Sequence, residues 1–219
     1  MKLVWNKREK ETQELILFFG GWGLDEQIVT HLSSDTSDIC YIHSYHLPWK
    51  EDWQFLEAYQ KVYLVAWSMG VWAAGNVFEN NTFPFTKTIA INGTLSAIHD
   101  ELGIPIATFQ GTLDHFSEAS RDKFFFRMLG SKSAFQQFTP PQRTLENQRE
   151  ELAFFLEKVM SLPTPSFNWD KALIGNQDRI FPIKNLLHFW NGRGTEVHTL
   201  DAAHAPFHFF ENWEQLLSV

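Results

Sequence analysis

KVYLVAWSMG (residues 61–70) joins two local patterns. Its first seven residues are apolar on both faces, as in a strand buried from both sides, and from Met69 to Glu79 the spacing turns helical. Ser68 sits at the junction. In parallel α/β sheets such a strand-to-helix turn projects a hydroxyl from the carboxyl edge, where these folds place their ligands. The turn is sharp, so the residues two before and two after the serine must be small. Ala66 and Gly70 meet that need, giving G-x-S-x-G with alanine for the first glycine. A serine after a strand is also a common helix N-cap, so the pentapeptide alone leaves two roles open.

Apolar runs of strand length recur along the chain: ELILFF (14–19), DICYIHSY (38–45), TKTIAIN (86–92), KALIG (171–175) and EVHTL (196–200). Helical patterns separate them: DEQIVTHL (25–32), WQFLEAYQ (53–60), MGVWAAGNVFE (69–79), PIKNLLHFW (182–190) and PFHFFENWEQLL (206–217). The alternation predicts an α/β fold, a mostly parallel central sheet with helices on both faces. Residues 103–165 break it, with helical segments bracketed by Pro140-Pro141, Pro163 and Pro165. They read as a helical cap inserted between two core strands, or as ordinary crossover helices.

At 219 residues the chain fits one domain, 1–219, able to bury a core without disulfides. Its 21 Phe and 9 Trp imply an aromatic core, a ring-lined cavity, or both. The one cysteine, Cys40, lies in an apolar strand, where it reads as a small buried hydrophobe, and nothing points to an oxidising compartment. The amino-terminal residues have no apolar run of signal-peptide length, and no stretch approaches a membrane span. The expectation is a cytoplasmic protein. A net charge of -8 argues against general nucleic-acid binding, which needs a basic surface.

A serine hydroxyl is a poor nucleophile until a base takes its proton, and that base needs an acceptor to hold its tautomer. In α/β-hydrolases the partners follow in the order Ser, Asp or Glu, His. Asp178 lies just past the strand KALIG, and His204 lies between the last strand and the last helix. With Ser68 they fall after three different strands. Asp170 and Asp201 compete for the acid, and His208 for the base. After the strand ELILFF comes GGWGLDEQ (20–27), whose glycines allow close backbone approach and leave the Trp22 amide free to face an oxyanion. Met69, next to the serine, would supply the second amide. A dinucleotide cradle is the competing reading, but the G-x-G-x-x-G spacing is absent.

These motifs together resemble an α/β-hydrolase family, the pimeloyl-acyl-carrier-protein methyl ester carboxylesterases of biotin synthesis. GGWGLDEQ is similar to their oxyanion loop, AWSMG to their nucleophile elbow, and DAAHAPF (201–207) to their histidine loop. The length and the stretch DKFFFRMLG (122–130) resemble the compact branch of these esterases. The resemblance implies Ser68 as nucleophile, His204 as general base and acid, Asp178 as the group orienting it, and Trp22 and Met69 as oxyanion donors. It implies hydrolysis of a methyl ester on a pimeloyl chain carried by acyl carrier protein, with no metal and no organic cofactor.

An acyl chain needs an apolar slot, for which Trp22, Trp67, Phe124, Phe125 and Phe207 are candidates. Acyl carrier protein is acidic, so its docking surface should be basic. Arg121, Lys123, Arg127, Lys132, Arg143 and Arg149 are the candidates; over 112–165 seven acidic residues match seven basic ones, so a patch must come from geometry. The alternatives are a short-chain serine esterase or acyl thioesterase on the same scaffold, a non-catalytic binding protein that keeps the fold, and an interaction module built on the aromatic cap.

Overall fold

The computed structural model describes residues 1–7, 12–49, 52–79 and 83–219. Seven strands form one sheet: β1 (Lys2–Asn6), β2 (Glu14–Phe19), β3 (Ser37–His43), β4 (Lys61–Trp67), β5 (Lys87–Ile91), β6 (Lys171–Gly175) and β7 (Glu196–Leu200). Their order is β1-β3-β2-β4-β5-β6-β7. Every neighbouring pair is parallel except β1 with β3. Six strands match the expected runs closely. The antiparallel edge strand β1 was not expected, because KLVWN among charged residues carries too few apolar positions to stand out.

Both sheet faces are buried, which explains the continuous apolar runs. In β2, Leu15, Leu17 and Phe19 enter one core, while Ile16 and Phe18 enter the other. Seven α-helices are present among the described residues: α1 (Met69–Val77), α2 (Ile106–Asp114), α3 (Glu118–Leu129), α4 (Lys132–Gln137), α5 (Leu145–Ser161), α6 (Ile183–Trp190) and α7 (Trp213–Ser218). α1 and α6 cover the first face, and α7 sends Trp213 and Leu216 into the second.

Three expected helices are shorter than their sequence pattern. Residues 25–32 and 53–60 make only the 3₁₀ turns Glu26–Ile28 and Trp53–Ala58, and 206–217 splits into a 3₁₀ turn, Phe207–Phe209, and α7. Asp25 and Asp52 do cap their turns, accepting from the Gln27 and Gln54 amides at 3.2 and 3.0 Å. Ile28, Val29 and Leu32 nevertheless reach the second core along an irregular path. Their burial does not require a helix.

Helices α2 to α5 all lie between β5 and β6. α5 contributes Leu152 and Phe155 to the first core, and α3 contributes Phe125, Met128 and Leu129 to the second. The inserted segment therefore straddles the carboxyl edge of the sheet. Gly20, Ser68, Asn92, Asn176 and Asp201 directly follow β2, β4, β5, β6 and β7 along that edge. No helix among the described residues is long and apolar enough to cross a membrane.

Candidate active site

Ser68 occupies the turn between β4 and α1 with φ 58° and ψ -127°, a conformation a non-glycine residue adopts at a cost of about 1–3 kcal/mol. Its amide donates to Ile91 O at 2.9 Å, and its carbonyl accepts from Val71 N at 3.1 Å. The side chain makes no capping bond to α1, so the N-cap role does not describe it. A Cβ on Gly70 would lie 2.3 Å from Phe19 O and 2.5 Å from Gly20 O, so α1 passes β2 too closely for any other residue.

His204 Nε2 lies 2.9 Å from Ser68 Oγ, and His204 Nδ1 lies 2.7 Å from Asp178 Oδ2. With Nδ1–H donating to the carboxylate, the Nε2 lone pair is left to accept the serine proton. Asp178 Oδ1 accepts from the amides of Ile180 at 2.7 Å and Phe181 at 3.0 Å, which fixes the carboxylate. All three residues are buried. The Phe181 ring stacks on the imidazole with centroids 5.8 Å apart, and Trp67 flanks it at 5.3 Å.

The carbonyl of His204 accepts from Trp67 Nε1 and from Asn92 Nδ2, each at 2.8 Å. Asn92 also donates to Ala203 O at 3.2 Å and accepts from Gly175 N at 2.7 Å. One side chain thus joins the ends of β5 and β6 to the histidine loop. Its φ of 44° is left-handed, where asparagine is several-fold enriched over other non-glycine residues. Asn92 was missed in the sequence, although it directly follows a strand, as Ser68 does.

The competing residues lie elsewhere. Asp170 precedes β6, at the opposite edge, and accepts from Thr88 N and Oγ1 at 2.7 and 3.0 Å. Asp201 accepts from Gln177 Nε2 at 2.7 Å on the surface. His208 is exposed on the 3₁₀ turn, with its pKa lowered by partial burial.

Trp22 and Met69 line the cleft beside Ser68, together with Ile104, Thr108, Phe109, Thr112, Phe124 and Leu152, and with Arg127, Arg179 and Ile180. Among the described residues neither the Trp22 nor the Met69 amide donates to a protein acceptor. The space beside Ser68 amounts to about 50 Å³, far less than the several hundred typical of ligand pockets. Thr108, Phe109 and Thr112 of α2 and Phe124 and Arg127 of α3 form much of its wall.

Three expected lining residues are corrected. Trp67 and Phe207 pack on each other at 5.1 Å in the second core, behind the histidine rather than in the cleft. Phe125 packs on Phe138 at 5.3 Å. Successive helical residues point about 100° apart, so only Phe124 of that pair faces the cleft. Among the basic candidates, Lys123, Arg127, Lys132 and Arg149 are exposed, and Arg121 pairs with Glu118 and Asp122. Arg143 is also corrected. Its buried side chain pairs with Glu151 at 2.7 Å and cannot contribute to a surface patch.

The model of the family described as pimeloyl-ACP methyl esterase BioG matches residues 4–216. A malonyl-[acyl-carrier protein] O-methyltransferase of Bacteroides fragilis is 43% identical over 194 residues, 88% of this chain. The chain spans only 39% of that protein's length. An uncharacterised protein of Haemophilus influenzae is 33% identical over 93% of this chain and 94% of its own. The crystal structure of BioG from Haemophilus influenzae superposes with a TM-score of 0.88 at 31% identity, covering 99% of both chains. The fold is that of the α/β-hydrolases, and the chain belongs to the BioG family.

Proposed function

We propose that this protein is a serine carboxylesterase that hydrolyses the methyl ester of a pimeloyl chain carried on acyl carrier protein, in biotin synthesis. The observation that carries the reading is the hydrogen-bonded chain from Ser68 through His204 to Asp178, at 2.9 and 2.7 Å. Membership of the BioG family supports the choice of substrate class.

In the proposed mechanism Ser68 Oγ attacks the ester carbonyl while its proton passes to His204 Nε2. The carbonyl electron pair moves onto oxygen, and the Trp22 and Met69 amides stabilise that oxyanion. His204 returns the proton to the departing methoxide, and methanol leaves. Water, deprotonated by His204, then attacks the acyl-serine; collapse frees the carboxylate and restores the hydroxyl. Asp178 holds the imidazole in the needed tautomer throughout. No metal or organic cofactor enters any step. The insertion 103–165 acts as a cap over the cleft, and the exposed Lys123, Arg127, Lys132 and Arg149 offer cations to the acidic carrier.

Methanol release from methyl pimeloyl-acyl carrier protein tests the proposal, with Ser68 labelling by a fluorophosphonate as companion. Absence of labelling would favour a non-catalytic binding protein. The small space beside Ser68 favours a second reading, an esterase for short free acyl groups. A series of methyl esters of increasing acyl length, with and without carrier, separates the two. Preference for acetyl or butyryl esters over the carrier-bound pimeloyl ester would favour the second.

A further inference from the structure

We infer that Glu151, together with Gln148, is a positioning residue for the oxyanion loop, so that docking of α5 and assembly of the oxyanion site are one event. The inference rests on the reading of Ser68 as an acyl-transfer nucleophile.

Gly23 follows Trp22 in the loop, and both of its backbone polar groups are held by α5. Its N–H donates to Glu151 Oε2 at 2.8 Å, and its carbonyl accepts from Gln148 Nε2 at 2.7 Å. The Trp22 indole N–H donates to the Gln148 carbonyl at 2.8 Å. The first two bonds fix the peptides on either side of Gly23, and the third anchors the Trp22 side chain, so Trp22 is held at its ring and at its carbonyl end, which restricts the direction of the amide on its other side. Gly23 has a φ of +76°, so the loop turns back at this point.

Glu151 does more than a spacer would. Fully buried, it accepts three hydrogen bonds from three segments: Gly23 N, Tyr45 N at 2.8 Å, and Arg143 Nη1 at 2.7 Å. Arg143 in turn donates to Leu24 O at 3.1 Å and to Asn147 Oδ1 at 2.8 Å. A buried ion pair is a weak source of stability, since apolar residues of equal volume often serve as well. Its hydrogen bonds are short and directional, however, which suits a group that must hold a peptide still. Stabilisation of a developing oxyanion depends on donors already aimed at it.

The test uses Glu151→Gln and Gln148→Met with p-nitrophenyl butyrate as substrate and an alkyl trifluoromethyl ketone as inhibitor. The ketone adds Ser68 Oγ to its carbonyl carbon, and the resulting hemiketal oxygen occupies the oxyanion position. Glu151→Gln keeps the shape but turns an amide NH₂ towards a backbone donor. We expect kcat to fall by about 10- to 100-fold with KM changed less than about threefold, and ketone affinity to fall in proportion. Gln148→Met leaves the ion pair intact and should lose about fivefold in both. That variant carries the test by itself if Glu151→Gln does not fold, as judged by thermal melting. Folded variants with kcat within twofold of wild type would overturn the inference, as would a loss of kcat with unchanged ketone affinity. A wild-type protein that fluorophosphonate does not label would overturn the serine mechanism and this inference together. Normal labelling of the wild type beside unaffected variants would overturn this inference alone.

Discussion

Ser68 and Trp22 line the same cleft, yet they are held by opposite means. The turn at Ser68 is set by main chain: β4 lies between β2 and β5, the Ser68 amide bonds to Ile91 O, and Gly70 packs on the Phe19 carbonyl. The loop at Trp22 is set by side-chain bonds to one helix, more than 120 residues further along the chain: the Gln148 and Glu151 side chains hold Gly23, and the Trp22 indole reaches the Gln148 carbonyl. Geometry built from a ladder tolerates side-chain change except where backbones touch. Geometry built from a few side chains depends on each of them.

The most damaging change is removal of the hydroxyl itself. Ser68→Ala should lower ester hydrolysis by about 10⁴-fold or more while leaving the melting temperature nearly unchanged, since the backbone frame of the turn does not depend on Oγ. Assay and thermal melt together check it; residual activity near wild type would make the main-chain frame irrelevant to catalysis. A pair of glycine variants comes next. In Gly70→Ala the new Cβ meets backbone oxygens that cannot step aside, and we expect a loss of about 3 kcal/mol in urea unfolding. In Gly23→Ala the nearest atom is Gln148 Nε2 at 3.7 Å, so only the left-handed φ opposes it, at about 1 kcal/mol. Equal costs would erase the contrast between the two sides.

The contrast also explains what was legible in the sequence. Ser68, Asp178 and His204 each directly follow or closely trail a strand, in a fixed order, with small residues where the turn needs them. Local pattern suffices for such features. Glu151 reads as one more acid on an amphipathic helix, and Arg143 as one more surface cation; only the tertiary fold turns them inward to each other. Trp67, Phe125 and Phe207 fail for a related reason. Nearness in sequence to the site does not say which face of a strand or helix a ring takes. The short 3₁₀ turns at 26–28 and 53–58 show the same limit, because apolar spacing reports burial rather than the path of the backbone.

The side held by polar side chains should also be the acid-sensitive one. His43 ends β3, buried, with Nδ1 3.0 Å from Ser44 Oγ. Burial pushes its pKa down to about 3, and the nearby positive charges of Arg143, Lys2, the amino terminus and His46 act in the same direction. Glu26 Oε2, at 3.7 Å from Nε2, is too distant to reverse this. A depressed pKa means that the unfolded chain takes up the proton first. The His43 contribution to stability is therefore fully present above about pH 6.5 and is lost as pH falls towards the folded pKa, with a limiting slope of about 1.4 kcal/mol per pH unit. Urea unfolding of wild type and His43→Gln between pH 7 and pH 4 checks it, because only the wild type should carry this component of the slope.

Asn92 tests where the boundary between the two kinds of support runs. It stands on the main-chain side, after β5, yet it acts through its side chain on Gly175 and on the histidine loop. Asn92→Ala leaves the buried Gly175 amide without its acceptor and puts alanine at a left-handed φ, so we expect a loss of about 2 kcal/mol. The effect on hydrolysis should be smaller, about threefold, because Trp67 Nε1 still holds the His204 carbonyl and Asp178 still holds the ring. Unfolding and steady-state kinetics on one preparation separate the two quantities. If kcat instead falls by a hundredfold or more, the histidine would be held by that amide rather than by the strand ends. The serine side would then depend on a side chain, as the Trp22 side depends on Gln148 and Glu151, and main-chain support would be confined to the turn that carries Ser68.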